Sequence, residues 1–222
     1  MNKEIITKFA NYCEQNFDLG QENQVPFYNS LPVCIIDCIY SLWTKYFKVT
    51  VPIVDRYALK FMNGNKYRSG DKLSDFISNI ESVGGCEPFA VDILKNKQKL
   101  SGRLKSEICL ELAKNLLLLN IETKEDFQNF QNVKLLEIVV SSVKGVGDAA
   151  LHYLFMLTGD PNRCKPDVHI HRCIFDALGY EVSNEDCQII LKGAVDILKD
   201  KYENLTVAFL DSIIWTDYQS KK

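Results

Sequence analysis

Apolar residues recur at spacings of three and four along most of the chain, the pattern of helices with one buried face. Pro52 is compatible with a helix if it lies in the first turn, and Thr123 followed by Glu125 is typical of a helix start. Residues 49–51 and 205–207 favour strand but are too short to outweigh their surroundings. The segments predicted to be helical are 31–48, 50–62, 72–82, 87–96, 104–119, 123–130, 133–142, 147–158, 168–178, 183–201 and 203–216. We therefore predict an all-α protein.

Length and composition are typical of a folded globular protein. The chain has 222 residues, of which 46% are hydrophobic, enough for a full core in one domain or two small ones. No run approaches the roughly 20 apolar residues that a bilayer requires, and the N-terminus lacks the apolar core of a signal peptide. We expect a cytoplasmic protein, and composition alone indicates no domain boundary.

The eight cysteines are scattered along the chain. They stand at positions 13, 34, 38, 86, 109, 164, 173 and 187, without the short paired spacings of a zinc site or a secreted disulfide framework. We expect most of them to be buried, small apolar residues in a reducing compartment.

Two short segments carry the most chemical information. Lys144-Gly145-Val146-Gly147 lies at the turn between two predicted helices, where glycines permit a tight backbone whose N–H groups can converge on a phosphate oxygen. Such a turn is more often only a connector between helices. About twenty residues later stands Asp167, which suits both a helix N-cap and a functional carboxylate. These two roles are compatible.

The pairing resembles the signature of the helix-hairpin-helix DNA glycosylase superfamily, of the endonuclease III and MutY type. Val143–Gly147 stands where that family has Leu-Pro-Gly-Val-Gly, and Asp167–Arg172 resembles its Val-Asp-Thr-His-Ile-x-Arg segment. Ser41–Lys45, followed by Asp55–Tyr57, looks like the family's early helix pair, and Ser101–Glu107 looks like the start of a later helix. The resemblance implies two helical domains with a cleft between them. Residues 31–150 would form a central domain ending in the helix-hairpin-helix, and residues 1–30 plus 151–222 the second domain.

The activity that the resemblance implies is monofunctional DNA N-glycosylase chemistry in base excision repair. Asp167 would be the essential carboxylate, placed beside a sugar that gains positive charge as the bond to the damaged or modified base breaks. Members that also cleave the strand carry a lysine nucleophile where this chain has Ala149, so we expect no lyase activity. Lys144 and Lys165 are nearby amines that could contribute weak lyase chemistry.

The resemblance also assigns residues to the duplex. Trp43 stands at the wedge position that the family fills with glutamine, and Tyr40 and Tyr46 are weaker base-pocket candidates. A core role for Trp43 is equally open. The residues expected to contact DNA are Lys144, Gly145, Val146, Gly147, Lys165, His169 and Arg172. A structural Na⁺ or K⁺ ion would bind the main-chain carbonyls of Ser141, Val143 and Val146.

No cofactor is expected to be required. The family's iron–sulfur loop has four cysteines, whereas only Cys173 and Cys187 follow Arg172, so we expect no iron–sulfur cluster. His152, His169 and His171 lack the spacing that places two ligands on one helix face. We expect a monomer that acts on double-stranded DNA containing a lesion. The sequence does not indicate which base is removed.

Charge leaves other functions open. The formal net charge of −3 gives no general reason for DNA affinity. Between residues 144 and 172, however, four Lys and Arg residues outnumber three Asp residues. The alternative is a non-catalytic helix-hairpin-helix DNA-binding module, and the overall charge also favours a helical protein unrelated to nucleic acid.

Overall fold

The computed structural model describes residues 2–21, 28–68 and 70–220, and this part of the chain is predominantly helical. The predicted all-α class is confirmed. Its α-helices are α1 (Lys3–Asn16), α2 (Leu31–Ser41), α3 (Tyr46–Phe61), α4 (Leu73–Ser82), α5 (Cys86–Pro88), α6 (Lys105–Leu117), α7 (Lys124–Asn129), α8 (Val133–Ser141), α9 (Asp148–Thr158), α10 (Val168–Leu178), α11 (Asn184–Leu198) and α12 (Val207–Ser220). A π-helical turn, Phe89–Ile93, follows α5. Two short strands, β1 (Lys99–Leu100) and β2 (Arg103–Leu104), pair antiparallel before α6.

The chain forms two compact units. The central unit is Phe27–Gly159, and the terminal unit combines Met1–Pro26 with Asp160–Lys222. The chain passes between units after residues 26 and 159, whereas the sequence placed its domain boundaries after residues 30 and 150. The difference at the second boundary arises because α9 packs against α2 and so belongs to the central unit.

The central unit is built around α2, whose residues are all buried. The side chain of Ser30 caps this helix by accepting a hydrogen bond from the backbone N–H of Val33, and Pro32 lies in its first turn. Helices α3, α6 and α9 pack around α2. Burial of each Leu or Ile side chain in such a core contributes roughly 1.5–3 kcal/mol. The end of α2 is therefore a firmly held point in the fold.

A buried carboxylate lies within this core. Asp37 of α2 is 0% exposed and accepts hydrogen bonds from three phenols. The Tyr28 and Tyr46 hydroxyls donate to Oδ2 at 2.9 and 2.7 Å, and the Tyr153 hydroxyl donates to Oδ1 at 2.9 Å. Burial, followed by the negative charge of Asp37, raises the pKa of all three tyrosines. The cluster joins α2, α3 and α9 through one acceptor.

The terminal unit is formed by α1, α10, α11 and α12. Helix α1 packs on α11 and α10, and α12 packs on the same two helices. A Cβ at Gly193 would lie 2.7 Å from the Cγ2 atom of Ile6, so this glycine permits the close approach of α1 to α11. The sequence prediction did not include α1. Its buried residues are Phe9, Ala10 and Cys13, a short apolar stripe that is completed only by its partners.

The first predicted helix was wrong in its extent. The run over residues 31–48 divides into α2, which ends at Ser41, and α3, which begins at Tyr46. The break occurs because Trp43 takes a left-handed backbone conformation with φ of 57°. Pro52 consequently lies in the interior of α3, not in a first turn as expected.

Two helix starts illustrate the reliability of local capping signals. The predicted start at Thr123 is confirmed, since its side chain accepts a hydrogen bond from the backbone N–H of Asp126. The last helix was predicted from residue 203 but begins at Val207, where the Thr206 hydroxyl accepts from the backbone N–H of Phe209 at 3.1 Å. Polar capping residues therefore locate these starts better than apolar periodicity does.

The cysteines and the helix lengths complete the description. All eight cysteines are free thiols and all except Cys86 are buried, so the prediction that most are buried is confirmed. In the part of the chain that the structure describes, no helix combines the length and the apolar character needed to cross a membrane.

Candidate functional site

The glycine-containing turn lies in the central unit, between α8 and α9. After α8, the buried Val143 accepts at its carbonyl a hydrogen bond from the backbone N–H of Val146 at 2.9 Å. Gly147 then precedes the first residue of α9, and its carbonyl accepts from the N–H of Leu151 at 2.9 Å. The two valines anchor the turn in the core, whereas Lys144 between them and Gly147 after them are exposed.

Gly145 is required by this turn for two reasons. Its φ of 108° lies in the region that favours glycine. A Cβ at this position would also lie 3.0 Å from Cδ1 of Ile108 and 3.4 Å from Leu100. The turn therefore packs directly against α6 and β1, and a side chain at position 145 would displace it from them.

The predicted cation and lyase positions can be located in the same turn. Of the three carbonyls expected to bind a monovalent cation, that of Val143 already accepts the hydrogen bond from Val146, and Ser141 is the last residue of α8. The cation stays a prediction. Ala149 lies half-buried in the first turn of α9 and offers no nucleophilic atom.

Asp167 lies in the terminal unit, as the N-cap of α10. Its Oδ1 accepts hydrogen bonds from the backbone N–H groups of His169 at 2.8 Å and Ile170 at 3.3 Å. The N-cap role that the sequence indicated is thus confirmed. Among the described residues, these hydrogen bonds both use Oδ1, and the side chain is only half-buried. The described hydrogen bonds thus hold the carboxylate at Oδ1.

The loop before Asp167 is fastened to two further helices. Gln188 of α11 binds the backbone of Cys164 in both directions, with Oε1 accepting from its N–H at 3.0 Å and Nε2 donating to its carbonyl. Asp211 of α12 accepts from the backbone N–H of Lys165 at 2.8 Å. The Lys165 carbonyl in turn accepts from the N–H of Asp167 at 2.7 Å. The position of Asp167 therefore depends on both helices.

Asp211 is a buried carboxyl group with a like charge near it. Burial raises its pKa most, and the negative charge of Asp167 raises it further. The backbone N–H of Lys165 and the Lys165 ammonium act in the opposite direction but are the smaller causes. The two carboxyl groups are thus electrostatically linked, one within the unit and one at its surface.

The other predicted DNA-contacting residues of α10 lie in different surroundings. The His169 ring meets the Trp215 ring edge-on, with centroids 6.3 Å apart. Nε2 of His171 is hydrogen-bonded to Oδ1 of Asn184 at 2.9 Å, and Arg172 is exposed. Among the described residues, no group of three or more His, Cys, Asp or Glu side chains is arranged to hold a metal ion.

Trp43 projects from the turn between α2 and α3. Its side chain is 94% exposed, so the alternative that it belongs to the core is wrong. The periodicity placed it in a continuous helix, where it would have shared the buried face with Tyr40. The left-handed backbone at Trp43 instead turns the indole outward.

The two neighbouring tyrosines are not exposed in the same way. Tyr40 is fully buried in the central core, so a base-pocket role for it would require that core to open. Tyr46 is half-buried, with its hydroxyl donated to Asp37. Both side chains therefore serve the packing of the central unit, and their base-pocket roles stay predictions.

Sequence reasoning missed Gln188, Asp211 and Lys105. Asp211 could have been noticed as a charged residue inside the apolar stretch of residues 207–214, but no spacing pattern links it to Asp167. Lys105, although quoted within a motif, was not expected to be buried, and its side chain is 2% exposed. Two surface pockets in the described part of the chain, one lined by α1 and one between α3 and α4, include none of the predicted site residues.

Comparison with known proteins gives a family and no activity. No curated protein matches the chain. One family model matches it over residues 7–220, nearly its whole length, and is described as a domain of unknown function. The chain therefore belongs to this family, the Domain of unknown function DUF8548.

Proposed function

We propose that this protein is a monofunctional DNA N-glycosylase of the helix-hairpin-helix superfamily. The observation that carries the proposal is the setting of Asp167. It follows the loop Cys164–Pro166, caps α10 through Oδ1, and is only half-buried. This occurs in the segment that resembles the superfamily's essential aspartate.

The chemistry follows from the position of that carboxylate. As the bond from C1′ to the base nitrogen lengthens, positive charge grows on the deoxyribose, and a nearby carboxylate stabilises it. Water then adds its oxygen to C1′, Asp167 accepts or directs its proton, and the base leaves with the bonding electrons. The N-terminus of α10 favours negative charge at residue 167. Ala149 provides no amine for a Schiff base, so the reaction stops at an abasic site.

The turn between α8 and α9 is the proposed strand-binding element. In this proposal it is the hairpin of a helix-hairpin-helix, and its N–H groups and Lys144 contact a phosphate beside the lesion. Lys165, His169 and Arg172 would contact the same duplex, across a cleft between two domains. A Na⁺ or K⁺ ion at the turn would act through the same phosphate. The protein acts as a monomer, without an iron–sulfur cluster or other cofactor.

Trp43 is the proposed wedge. An enzyme that acts on a base within a duplex must extrude it, and an apolar side chain often fills the gap. An exposed indole at the end of a buried helix has the size and the support for this role. Because the superfamily uses glutamine here, the base preference of this protein is expected to differ.

The proposal is tested by comparing base excision by the wild type and by the Asp167→Asn variant. Duplexes bearing uracil, oxidised, alkylated or deaminated bases are incubated with protein and then treated with alkali, which breaks the strand at abasic sites. We expect at least roughly a hundredfold fewer breaks with Asp167→Asn, because the group that stabilises the sugar cation is lost. Asp186→Asn is the matched control, since Asp186 also serves a helix start in the terminal unit.

Two outcomes would count against the enzyme. Equal excision by the wild type and Asp167→Asn would show that Asp167 has no catalytic role. Duplex binding without breaks on any substrate, unaffected by Asp167→Asn, would favour the non-catalytic DNA-binding module.

The role of the turn is tested separately. If Gly145→Ala combined with Gly147→Ala fails to weaken duplex binding, the turn has no role in DNA recognition.

The absence of lyase chemistry has a separate test. Borohydride reduction on an abasic-site duplex should trap no covalent adduct with the wild type, because Ala149 stands where strand-cleaving relatives have lysine. Ala149→Lys supplies the missing amine and should give an adduct. A strong adduct with the wild type would show that another amine, such as Lys144, acts as the nucleophile.

A further inference from the structure

Trp43 combines full exposure with a constrained backbone. Its φ of 57° lies in the left-handed region, which is unfavourable in free energy for any residue that has a side chain. Because the indole is exposed, its burial does not offset this cost. Local preferences therefore do not explain why the turn keeps this conformation. Contacts from elsewhere in the central unit must hold it.

Lys105 makes several of these contacts. This first residue of α6 is 2% exposed, and its Nζ donates to the carbonyl of Leu42 at 2.7 Å. It also reaches the carbonyl of Tyr40 at 3.4 Å and Oε1 of Gln98 at 3.3 Å. The ammonium thus lies at the C-terminal end of α2, where carbonyl groups without helical partners attract a cation. It holds the residue directly before Trp43.

The residue after Trp43 is held as well. The Thr44 hydroxyl donates to the Tyr40 carbonyl at 2.9 Å and lies 3.2 Å from the Thr50 hydroxyl. Thr50 is buried and also donates to the Tyr40 carbonyl, at 3.1 Å. Backbone and side-chain contacts therefore fasten both neighbours of Trp43 to the end of α2, and only the indole is left outside.

A buried lysine is an expensive way to close a turn. Removing an ammonium from water carries a free-energy cost that an apolar side chain of similar length would avoid. Such a cost is understandable where a defined geometry is needed. A cationic group with several N–H donors can bind several carbonyls at once and so fix the end of α2, which an apolar side chain cannot do.

We propose that Lys105 is a positioning residue, which holds the Trp43 turn in the conformation that inserts the indole into a nucleic-acid duplex. The inference rests on the proposed function for the identity of the ligand. A side chain that is ordered before binding loses less conformational entropy when it inserts. Lys105 would thus contribute to affinity without touching DNA.

The fluorescence of Trp43 provides a direct test. The chain has two tryptophans, so Trp215→Phe leaves Trp43 as the single reporter. In this parent protein, time-resolved anisotropy should show an indole that moves mainly with the whole molecule. Lys105→Met should add a fast local motion, and Lys105→Arg should restore most of the rigidity. Lys99→Met is the matched control, because it removes an exposed lysine on neighbouring β1.

Duplex binding supplies the second measurement. An abasic-site duplex should quench Trp43 in the parent protein, since stacking on bases changes the environment of the indole. We expect Lys105→Met to bind roughly three- to tenfold more weakly, through the added ordering cost. Lys99→Met, which loses the same charge, should bind with a smaller change and keep its rigid indole.

The possible failures are distinguishable. Unchanged anisotropy in Lys105→Met overturns the role of Lys105. If Lys105→Met does not fold, the Trp215→Phe parent protein still tests the proposal. A large fast component in the anisotropy decay of Trp43, with Lys105 present, would equally overturn the role of Lys105. A rigid Trp43 that no lesion duplex quenches overturns insertion into DNA, whatever Lys105 does to the turn.

Discussion

Asp37 and Asp167 are carboxylates at helices of similar length, and the protein holds them in different ways. Asp37 lies in the middle of α2 with no exposed surface, and both of its oxygens accept hydrogen bonds from tyrosines. Asp167 lies before the start of α10, and Oδ1 alone accepts the two backbone hydrogen bonds described for it. A carboxylate whose capacity is filled by the protein stabilises the fold. A carboxylate that caps a helix through one oxygen and is not fully buried can also act on a ligand.

The comparison separates stability from chemistry. A buried carboxylate is expensive unless its partners are complete, and three phenols at 2.7–2.9 Å complete those of Asp37. At a helix N-cap the backbone already supplies donors, so Asp167 needs few other partners and can stay near the surface. Substitutions at these positions should therefore affect different measurements.

The largest expected effect is on folding, from Asp37→Ala. The change removes the carboxylate that accepts from three tyrosine hydroxyls and opens a small cavity, so we expect a loss of about 3–5 kcal/mol in the free energy of unfolding. Urea denaturation followed by circular dichroism measures it. Tyr46→Phe removes one donor and should cost only about 1–2 kcal/mol. Equal stability of wild type and Asp37→Ala would show that the cluster is incidental to the fold.

Asp211 tests whether the loop before Asp167 is fastened as described. Asp211→Ala leaves the part-buried N–H of Lys165 without this acceptor, at an expected cost of about 1–3 kcal/mol. The rate of base excision should fall as well, because the loop that positions Asp167 is no longer held by α12. Gln188→Ala should act in the same direction through Cys164. Unchanged excision in both variants would contradict a role for the loop in positioning Asp167.

The raised pKa of Asp211 also predicts a pH dependence of stability. Burial and the charge of Asp167 keep a proton on the folded carboxyl group that the unfolded chain releases near a pH of roughly 4. The free energy of unfolding therefore falls as pH rises from there through the raised pKa. Asp211→Asn has no such proton, and its thermal unfolding temperature should fall less over this range. Parallel pH profiles for the two proteins would contradict the assignment.

The smallest stability effect is expected at Asp167 itself. Asn caps a helix about as well as Asp, so Asp167→Asn should change the free energy of unfolding by less than about 0.5 kcal/mol, whereas Asp167→Ala should cost about 1 kcal/mol. Excision should be lost in both. Thermal unfolding measured beside the lesion assay separates the two roles, and a large destabilisation by Asp167→Asn would place Asp167 with Asp37 as a structural carboxylate.

Several features of the site could be predicted because they are local. The cap at Asp167 depends on residues within three positions, and the turn at Gly145 is indicated by glycine alone. The helix starting at Thr123 was found in the same way. Apolar periodicity identified the helical class, but it could not show that Trp43 interrupts the first helix, since an outward indole and an inward one obey the same spacing.

The sequence by itself determined the helical class, the capping residues and the glycine turn, because these depend on backbone geometry and on neighbours a few residues away. The tertiary structure alone decided that Asp37 is saturated, that Asp211 and Gln188 hold the loop before Asp167, and that Lys105 is buried beneath the Trp43 turn. Burial, dielectric surroundings and hydrogen-bond partners arise from residues far apart in the chain. Only packing brings those residues together.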